Sequence, residues 1–416
     1  MPDAAPPTVG DAGASRGAPR KICVVVASRA NYARIKTLLQ AVRDHPDLEL
    51  QLIVAASALL ERFGTSVDVM ERDGFTPDAT IRLIIEGENP TTMAKSTGLG
   101  LLELPTVFEM LDPDVVVTVA DRFETLSTAI AAAYMNLPVA HTQGGEVSGS
   151  IDESVRHAVT KLSHLHFPAT ELSAQRVLAM GEDPAMVFNT GCPSIDLVAG
   201  TDLGTRAVAL EQFGGTGSPI DPDKPYALMM QHPVTTEFGQ GFEQINETLD
   251  AVASLGMQAL VFWPNVDAGS DQVAKGIRQF REKGRDHGFH FFRNLPAEDF
   301  FRLMAHCEVM VGNSSAGLRE GAYLGTPVVT VGSRQRGREC GDNVRWVEHD
   351  AAAIARAISD QIAHGRYERD ELFGDGTAGQ KIAEVLTWAR PSVQKELHLA
   401  SELSDPRAVG ASVPLA

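Results

Sequence analysis

Residues 311–339 read VGNSSAGLREGAYLGTPVVTVGSRQRGRE. An apolar run ends in Gly312-Asn313-Ser314-Ser315, a helical stretch follows, and a second apolar run, PVVTVG, leads into a basic loop. This is a strand–turn–helix–strand unit, and its runs are continuous, as in parallel strands buried on both faces. The small side chains of the turn leave backbone N–H groups free at a helix N-terminus, which suits a phosphate or diphosphate. The same four residues also fit an ordinary turn and helix cap. Glu320 lies two turns into the helix, and Arg334, Arg336 and Arg338 follow the second strand. A helix N-terminus, a carboxylate and a guanidinium cluster together point to a nucleotide. The diphosphate would lie on the N–H groups with Ser314 and Ser315, the ribose hydroxyls on Glu320, and residual charge on arginine.

The same unit recurs along the chain. Candidate strands in the first half are 22–28, 48–56, 114–121, 138–143, 165–170 and 186–191, with helix-period segments such as 33–43 and 124–135 between them. Residues 200–224 change to Gly, Pro, Asp and Ser, the composition of a linker with a short helix. The pattern then restarts with strands at 226–231, 258–264, 289–294, 308–313 and 327–332, and a helical segment near 376–403 closes the chain. The expected fold is α/β, two Rossmann-like doubly wound domains around a cleft. We divide the chain into a disordered tail (1–20), a first domain carrying the sugar side and an acid/base loop (21–200), a nucleotide-binding second domain (201–380), and a C-terminal helix and tail (381–416).

Composition narrows the classes. At 416 residues two cores are the default. A net charge of −18 argues against non-specific nucleic-acid or anionic-membrane binding, so an anionic ligand must be held by local arginines. No apolar run reaches the length of a membrane span. Cys23, Cys192, Cys307 and Cys340 are far apart, lack metal spacing and read as free thiols in a reducing cytosol. No metal site is expected.

Ligands of doubly wound sheets sit beyond the carboxyl ends of the strands, where the conspicuous polar residues fall. Arg29 and Arg34 stand where the first strand meets its helix; they could grip phosphate or sugar hydroxyls, or simply begin a solvated helix. Asp121 and Arg122 end the 114–121 strand. A carboxylate there, partly desolvated, could have the raised pKa that proton transfer needs, or could cap the next helix. The loop 141–167 is the densest polar stretch, with His141, Gln143, Glu146, Asp152, Glu153, Arg156 and His157. Some of its acids could only complement a helix dipole, yet it is also a general acid/base candidate. In the second domain His232 and Asn265 end successive strands.

These segments resemble the hydrolysing UDP-N-acetylglucosamine 2-epimerases, among them the bacterial enzymes of sialic and legionaminic acid synthesis and the epimerase half of the bifunctional animal enzyme. The matching strings are SRANY, ADRFE, GGEVSGSIDESVRHAVTKL, GCPSID, QHPVTTE, WPNVDAGS, GNSSAGLRE and GSRQRGRE, spread over about residues 22–350. The resemblance implies the GT-B arrangement, a nucleotide-sugar ligand, a homodimer or homotetramer, and no cofactor. It places Ser314, Ser315, Glu320, Arg334 and His232 on the nucleotide, assisted by Arg29, and Asp121, Asp152 and the 141–146 loop near the sugar. The implied chemistry is elimination of UDP to a glycal and hydration to the C2-inverted free sugar. Where relatives carry a glutamate in a His-x-Glu-Gly-Gly-Glu loop, this chain has Gln143, which cannot shuttle a proton, and Asn31 stands where an aspartate is common. The proton work then falls to Asp121 or Asp152. Two other readings follow from the same departure: a transferase that passes an activated sugar to a nucleobase or other acceptor, and a nucleotide-sugar binder without turnover.

Overall fold

The computed structural model describes residues 18–61, 66–204, 210, 214–221 and 223–398. Its first sheet is built from β1 (Arg20–Val26), β2 (Leu48–Ala55), β3 (Ala79–Ile81), β4 (Val115–Val119), β5 (Val139–Thr142) and β6 (Leu165–Phe167), in the order β3-β2-β1-β4-β5-β6. All its pairings are parallel. The second sheet contains β7 (Thr216–Gly217), β8 (Tyr226–Met230), β9 (Gln258–Phe262), β10 (Phe289–Phe292), β11 (Val309–Gly312), β12 (Val328–Val331) and β13 (Val344–Val347), in the order β13-β12-β11-β8-β9-β10-β7. Only β7 runs antiparallel, on the edge beside β10. Every residue of β4, β8, β11 and β12 is buried, so hydrophobic burial on both faces selects these Val- and Met-rich runs as central strands.

In each sheet the strand order reverses once, between β1 and β4 and between β8 and β11. Those reversals open crevices at the carboxyl ends of the strands, and the two crevices face each other. The result is a GT-B arrangement of two doubly wound domains.

The ends of the chain differ from the sequence reading. β1 begins at Arg20, so the described residues before it are few and residues 1–17 lie outside the description. The closing helix is Ala378–Trp388, shorter than 376–403 and starting before 381. It packs on the Lys36–Asp44 helix, and its Ile382, Ala383 and Leu386 complete the core of the first domain. Arg20 of β1 donates to the carbonyls of Leu386 (2.5 Å) and Ala389 (2.8 Å), capping the helix C-terminus. The expected strand at 186–191 is only an isolated bridge between Val187 and His166, because Gly191 (φ 84°) turns the chain into the Pro193–Ala199 helix. Of the 200–224 linker, residues 205–209, 211–213 and 222 fall outside the description. Among the described residues no helix is long and apolar enough to cross a membrane, and no group of three His, Cys, Asp or Glu side chains could hold a metal. The four cysteines are free.

Candidate active site

The facing crevices join into a cavity of about 1070 Å³. Its second-domain wall is made by the turn after β11. Gly312 has φ 130°, and a Cβ there would come within 2.1 Å of the Met230 carbonyl, so only glycine lets β11 pass β8 this closely before turning. The Asn313 amide then bridges the backbone N–H (2.7 Å) and carbonyl (2.8 Å) of His232, locking the ends of β8 and β11 together. Ser314 caps the following helix by accepting from Ala316 N–H. Ser314, Ser315 and Glu320 line the cavity, and one carboxylate oxygen of the buried Glu320 has no protein partner. His232 accepts the Asn265 N–H on Nδ1 (3.2 Å); burial and the Arg334 guanidinium pull its pKa down to about 3. It is therefore neutral at physiological pH, with Nε2 as an N–H donor.

The first-domain wall begins at Ser28, which caps the Arg29–Ala33 helix through the Asn31 N–H. Asn31 is buried and donates to the Val119 carbonyl at the end of β4 (3.4 Å), a bond that an aspartate in its place could not make. Arg29 donates to Asn294 Oδ1 (2.6 Å) and Arg34 to Ser315 Oγ (2.6 Å), so both reach across the cleft. Arg122 lies on the wall with its charge taken by Glu124 (3.1 Å) and Asp267 (2.7 Å). Asn265 holds the other oxygen of Asp267. Arg334 stands 3.5 Å from Asp267 and 3.8 Å from Asp152.

The two candidate acids have opposite environments. Despite its burial, Asp121 is paired with Arg156, with Arg34, Arg338 and Arg319 close by, and these guanidiniums hold its pKa far below the usual carboxylate range. Of the two readings left open for Asp121, the raised pKa does not hold: the desolvation is there, but cations outweigh it. Asp152, in the first turn of the Ile151–Leu162 helix, is pushed up to about 6 by burial and then by the charges of Asp121 and Asp267. The two side chains nevertheless line one cavity.

Several sequence candidates do not line it, among them Arg336, which is exposed and pairs with Glu348 (2.8 Å). Gln143 is fully buried behind the wall, donating to Cys192 Sγ (3.3 Å) and accepting from Arg319 (3.0 Å). Glu146 is buried between Arg319 and Arg338, and those guanidiniums overcome its burial to lower its pKa to about 2. His157 is half-buried away from the cavity, 3.6 Å from Glu153 on the same helix, because the period of 3.6 turns it away from Asp152 and Arg156. His141, buried at the end of β5, bonds the Ala120 carbonyl (2.7 Å) and so braces the left-handed residue (φ 62°) that precedes Asp121. The sequence reading also missed two buried charges that brace the site. Arg319 and Asp267 carried no signal: one looks like a helix-surface arginine and the other like a loop acid until the domains face each other.

The chain is similar to known proteins. Residues 40–387 match the family model described as UDP-N-acetylglucosamine 2-epimerase. The chain is 34% identical over 368 residues to the UDP-N,N'-diacetylbacillosamine 2-epimerase (hydrolyzing) of Legionella pneumophila, covering 88% of this chain and 95% of that one. It is 30% identical to the UDP-N-acetylglucosamine 2-epimerase of Neisseria meningitidis serogroup B, covering 89% and 96%. Among solved structures, UDP-GlcNAc 2-epimerase from Neisseria meningitidis bound to UDP-GlcNAc has a TM-score of 0.72 at 19% identity over 88% of this chain and 99% of that one. The Methanocaldococcus jannaschii enzyme in complex with UDP-GlcNAc and UDP has a TM-score of 0.73 at 16% identity, covering 89% and 100%. At these identities the structural likeness speaks for the fold.

Proposed function

The chain belongs to the UDP-N-acetylglucosamine 2-epimerase family, and from that membership we propose that it is a hydrolysing 2-epimerase of a UDP-N-acetylhexosamine, either UDP-GlcNAc or its 2,4-diacetamido analogue. One observation carries the reading. A carboxyl with pKa about 6, Asp152, lines the same cavity as a helix N-terminus that Arg34 and Arg334 contact.

The diphosphate occupies the Ser314–Ser315 turn, with the His232 Nε2–H as a further donor, and the ribose hydroxyls meet the open oxygen of Glu320. Ionised Asp152 takes the proton from C2 of the sugar while the C1–O bond to the β-phosphate breaks. The electron pair of the C–H bond becomes the C1=C2 bond, and UDP leaves with the pair of the C1–O bond. The C2 proton is not acidic, so its removal depends on stabilising the leaving group, which the guanidiniums and the helix N-terminus do in a desolvated site. Water then adds its oxygen to C1, and a proton returns to C2 on the opposite face. The sum is nucleotide sugar plus water giving UDP plus the C2-inverted free sugar. Asp121, held ionised by Arg156, orients the sugar rather than donating a proton. The name of the Legionella relative, a hydrolysing 2-epimerase, supports water as the acceptor.

Chromatography after incubation with each of the two UDP-sugars tests this. The expected products are UDP and free reducing sugar in equal amounts, and the faster substrate identifies the C4 substituent. A C2 epimer still joined to UDP, or a new glycoside formed only with an added acceptor, would contradict the proposal.

A further inference from the structure

We propose that Asp267 is a positioning residue that couples closure of the cleft to proton abstraction: it docks the second domain on Arg122 of the first and, in the same move, sets a second carboxylate on the guanidinium that Asp152 shares. The inference rests on the nucleotide-sugar reading above, with Asp152 as its base.

The contact is built from both sides. Glu124 accepts from Arg122 Nε (3.2 Å) and Nη2 (3.1 Å), so the planar guanidinium is held with Nη1 toward the second domain. Nη1 donates to Asp267 Oδ1 at 2.7 Å. On the other side the loop after β9 folds back on itself. Asn265 donates its amide to Asp267 Oδ2, and its own Oδ1 accepts the Asp267 N–H (3.3 Å). Arg122, Glu124 and Asp267 are all buried. A buried ion pair offsets its desolvation only in good geometry, so this one fixes how the two domains meet.

Arg334 carries the arrangement to the base. Its Nη2 stands 3.5 Å from Asp267 Oδ2 and 3.8 Å from Asp152 Oδ2. Asp152 and Arg122 belong to the first domain, Asp267 and Arg334 to the second. The four charges therefore alternate across the cleft and meet only when it is closed. Two more groups face Asp152 from the first domain: Asp121 at the end of β4, and Arg156 on its own helix, which pairs with Asp121. His232, beside Arg334 and Asp267, is neutral. Burial and the carboxylates of Asp121 and Asp267 favour the protonated form of Asp152, and the guanidiniums of Arg334 and Arg122 oppose them. Opening the cleft hydrates Asp152 and takes Asp267 away, which returns it toward an ordinary, weakly basic carboxylate. Its affinity for a proton is thus greatest when the substrate is enclosed.

Asp267→Asn, which is isosteric, is compared with Arg122→Gln and with the double variant. Each single change breaks the same bond, so kcat should fall about tenfold in each, and the double variant should lose little more than either alone. The pH profiles separate the two charges. Asp267→Asn removes an anion and should move the fall in kcat from about 6 to lower pH, whereas Arg122→Gln removes a cation and should move it to higher pH. UDP affinity, measured by calorimetry, should not weaken in Asp267→Asn, because a negative charge leaves the side of Arg334. Small-angle scattering with UDP bound should give both single variants a larger radius of gyration than the wild type. Losses in kcat that multiply in the double variant, acid limbs that move together or not at all, or unchanged scattering would overturn the proposal. A wild-type protein that neither binds UDP nor turns over a UDP-sugar would instead defeat the nucleotide-sugar reading itself.

Discussion

Asp121 and Asp152 show how far a residue type predicts its chemistry. Both are carboxylates at strand or helix ends of one cavity, and sequence could not separate them, because the four guanidiniums that hold Asp121 ionised, Arg34, Arg156, Arg319 and Arg338, are brought to it only by the fold. Arg338 and Arg319 are drawn to Asp121 from the second domain. The separation leads to a pair of expectations. Asp152→Asn should abolish turnover with UDP affinity nearly intact. Because its folded pKa is raised, the stability that Asp152 contributes is full below its ordinary 3.8 and is lost as pH rises through about 6. The Asn variant, measured by denaturant unfolding, should therefore be at least as stable as the wild type at pH 7. Asp121→Asn should also lose activity but be destabilised by about 3–5 kcal/mol, since it leaves Arg156 charged, buried and unpaired. The wild-type rate should fall as pH is lowered through about 6, when Asp152 takes up its proton; a flat kcat between pH 5 and 8 would remove it as the base. Residues whose role is set by their own backbone, such as Ser314 as a cap, were legible in the sequence. Those whose role is set by a partner across the cleft, such as Arg319 and Asp267, were not.

Elements were legible where burial is continuous. The central strands were found within a few residues, because runs such as VVVTV and VMVG have no alternative to a doubly covered sheet. The two-residue β7, three-residue β3 and half-exposed β13 were missed, being edge strands that carry little apolar signal. The loop between β5 and the Ile151–Leu162 helix was recognised as dense in polar groups, but not as the piece that closes the cleft. Gly149 donates to the Arg334 carbonyl (3.0 Å), and a Cβ on it would approach the Ser333 carbonyl to 1.9 Å. Gly149→Ala must therefore push the acid/base loop away from the arginine loop and separate Asp152 from Arg334. We expect kcat/KM to drop by about a hundredfold, in line with other misplacements of reacting groups by about 1 Å, with little change in melting temperature. Steady-state kinetics beside a thermal scan would check both.

The whole molecule is two domains tied in both directions. Lys36 of the first bridges Asp73 (2.9 Å) and Glu298 of the second (2.6 Å), and the C-terminal helix leaves the second domain to finish the core of the first. The sequence showed two sheets and a cleft, since strand and helix patterns are local. It did not show where the last helix packs, since any amphipathic helix fits several grooves. Leu386→Ala should cost about 2–5 kcal/mol by opening a cavity in the first domain, although it lies at the far end of the chain. Equilibrium unfolding with a first-domain probe would register this loss, and an unchanged midpoint would refute the packing. The central claim is elimination followed by hydration, and proton NMR of the reaction in deuterated water tests it most directly. The account predicts UDP together with a free C2-inverted sugar in which C2 carries deuterium. A C2-inverted sugar that keeps its original proton would contradict it.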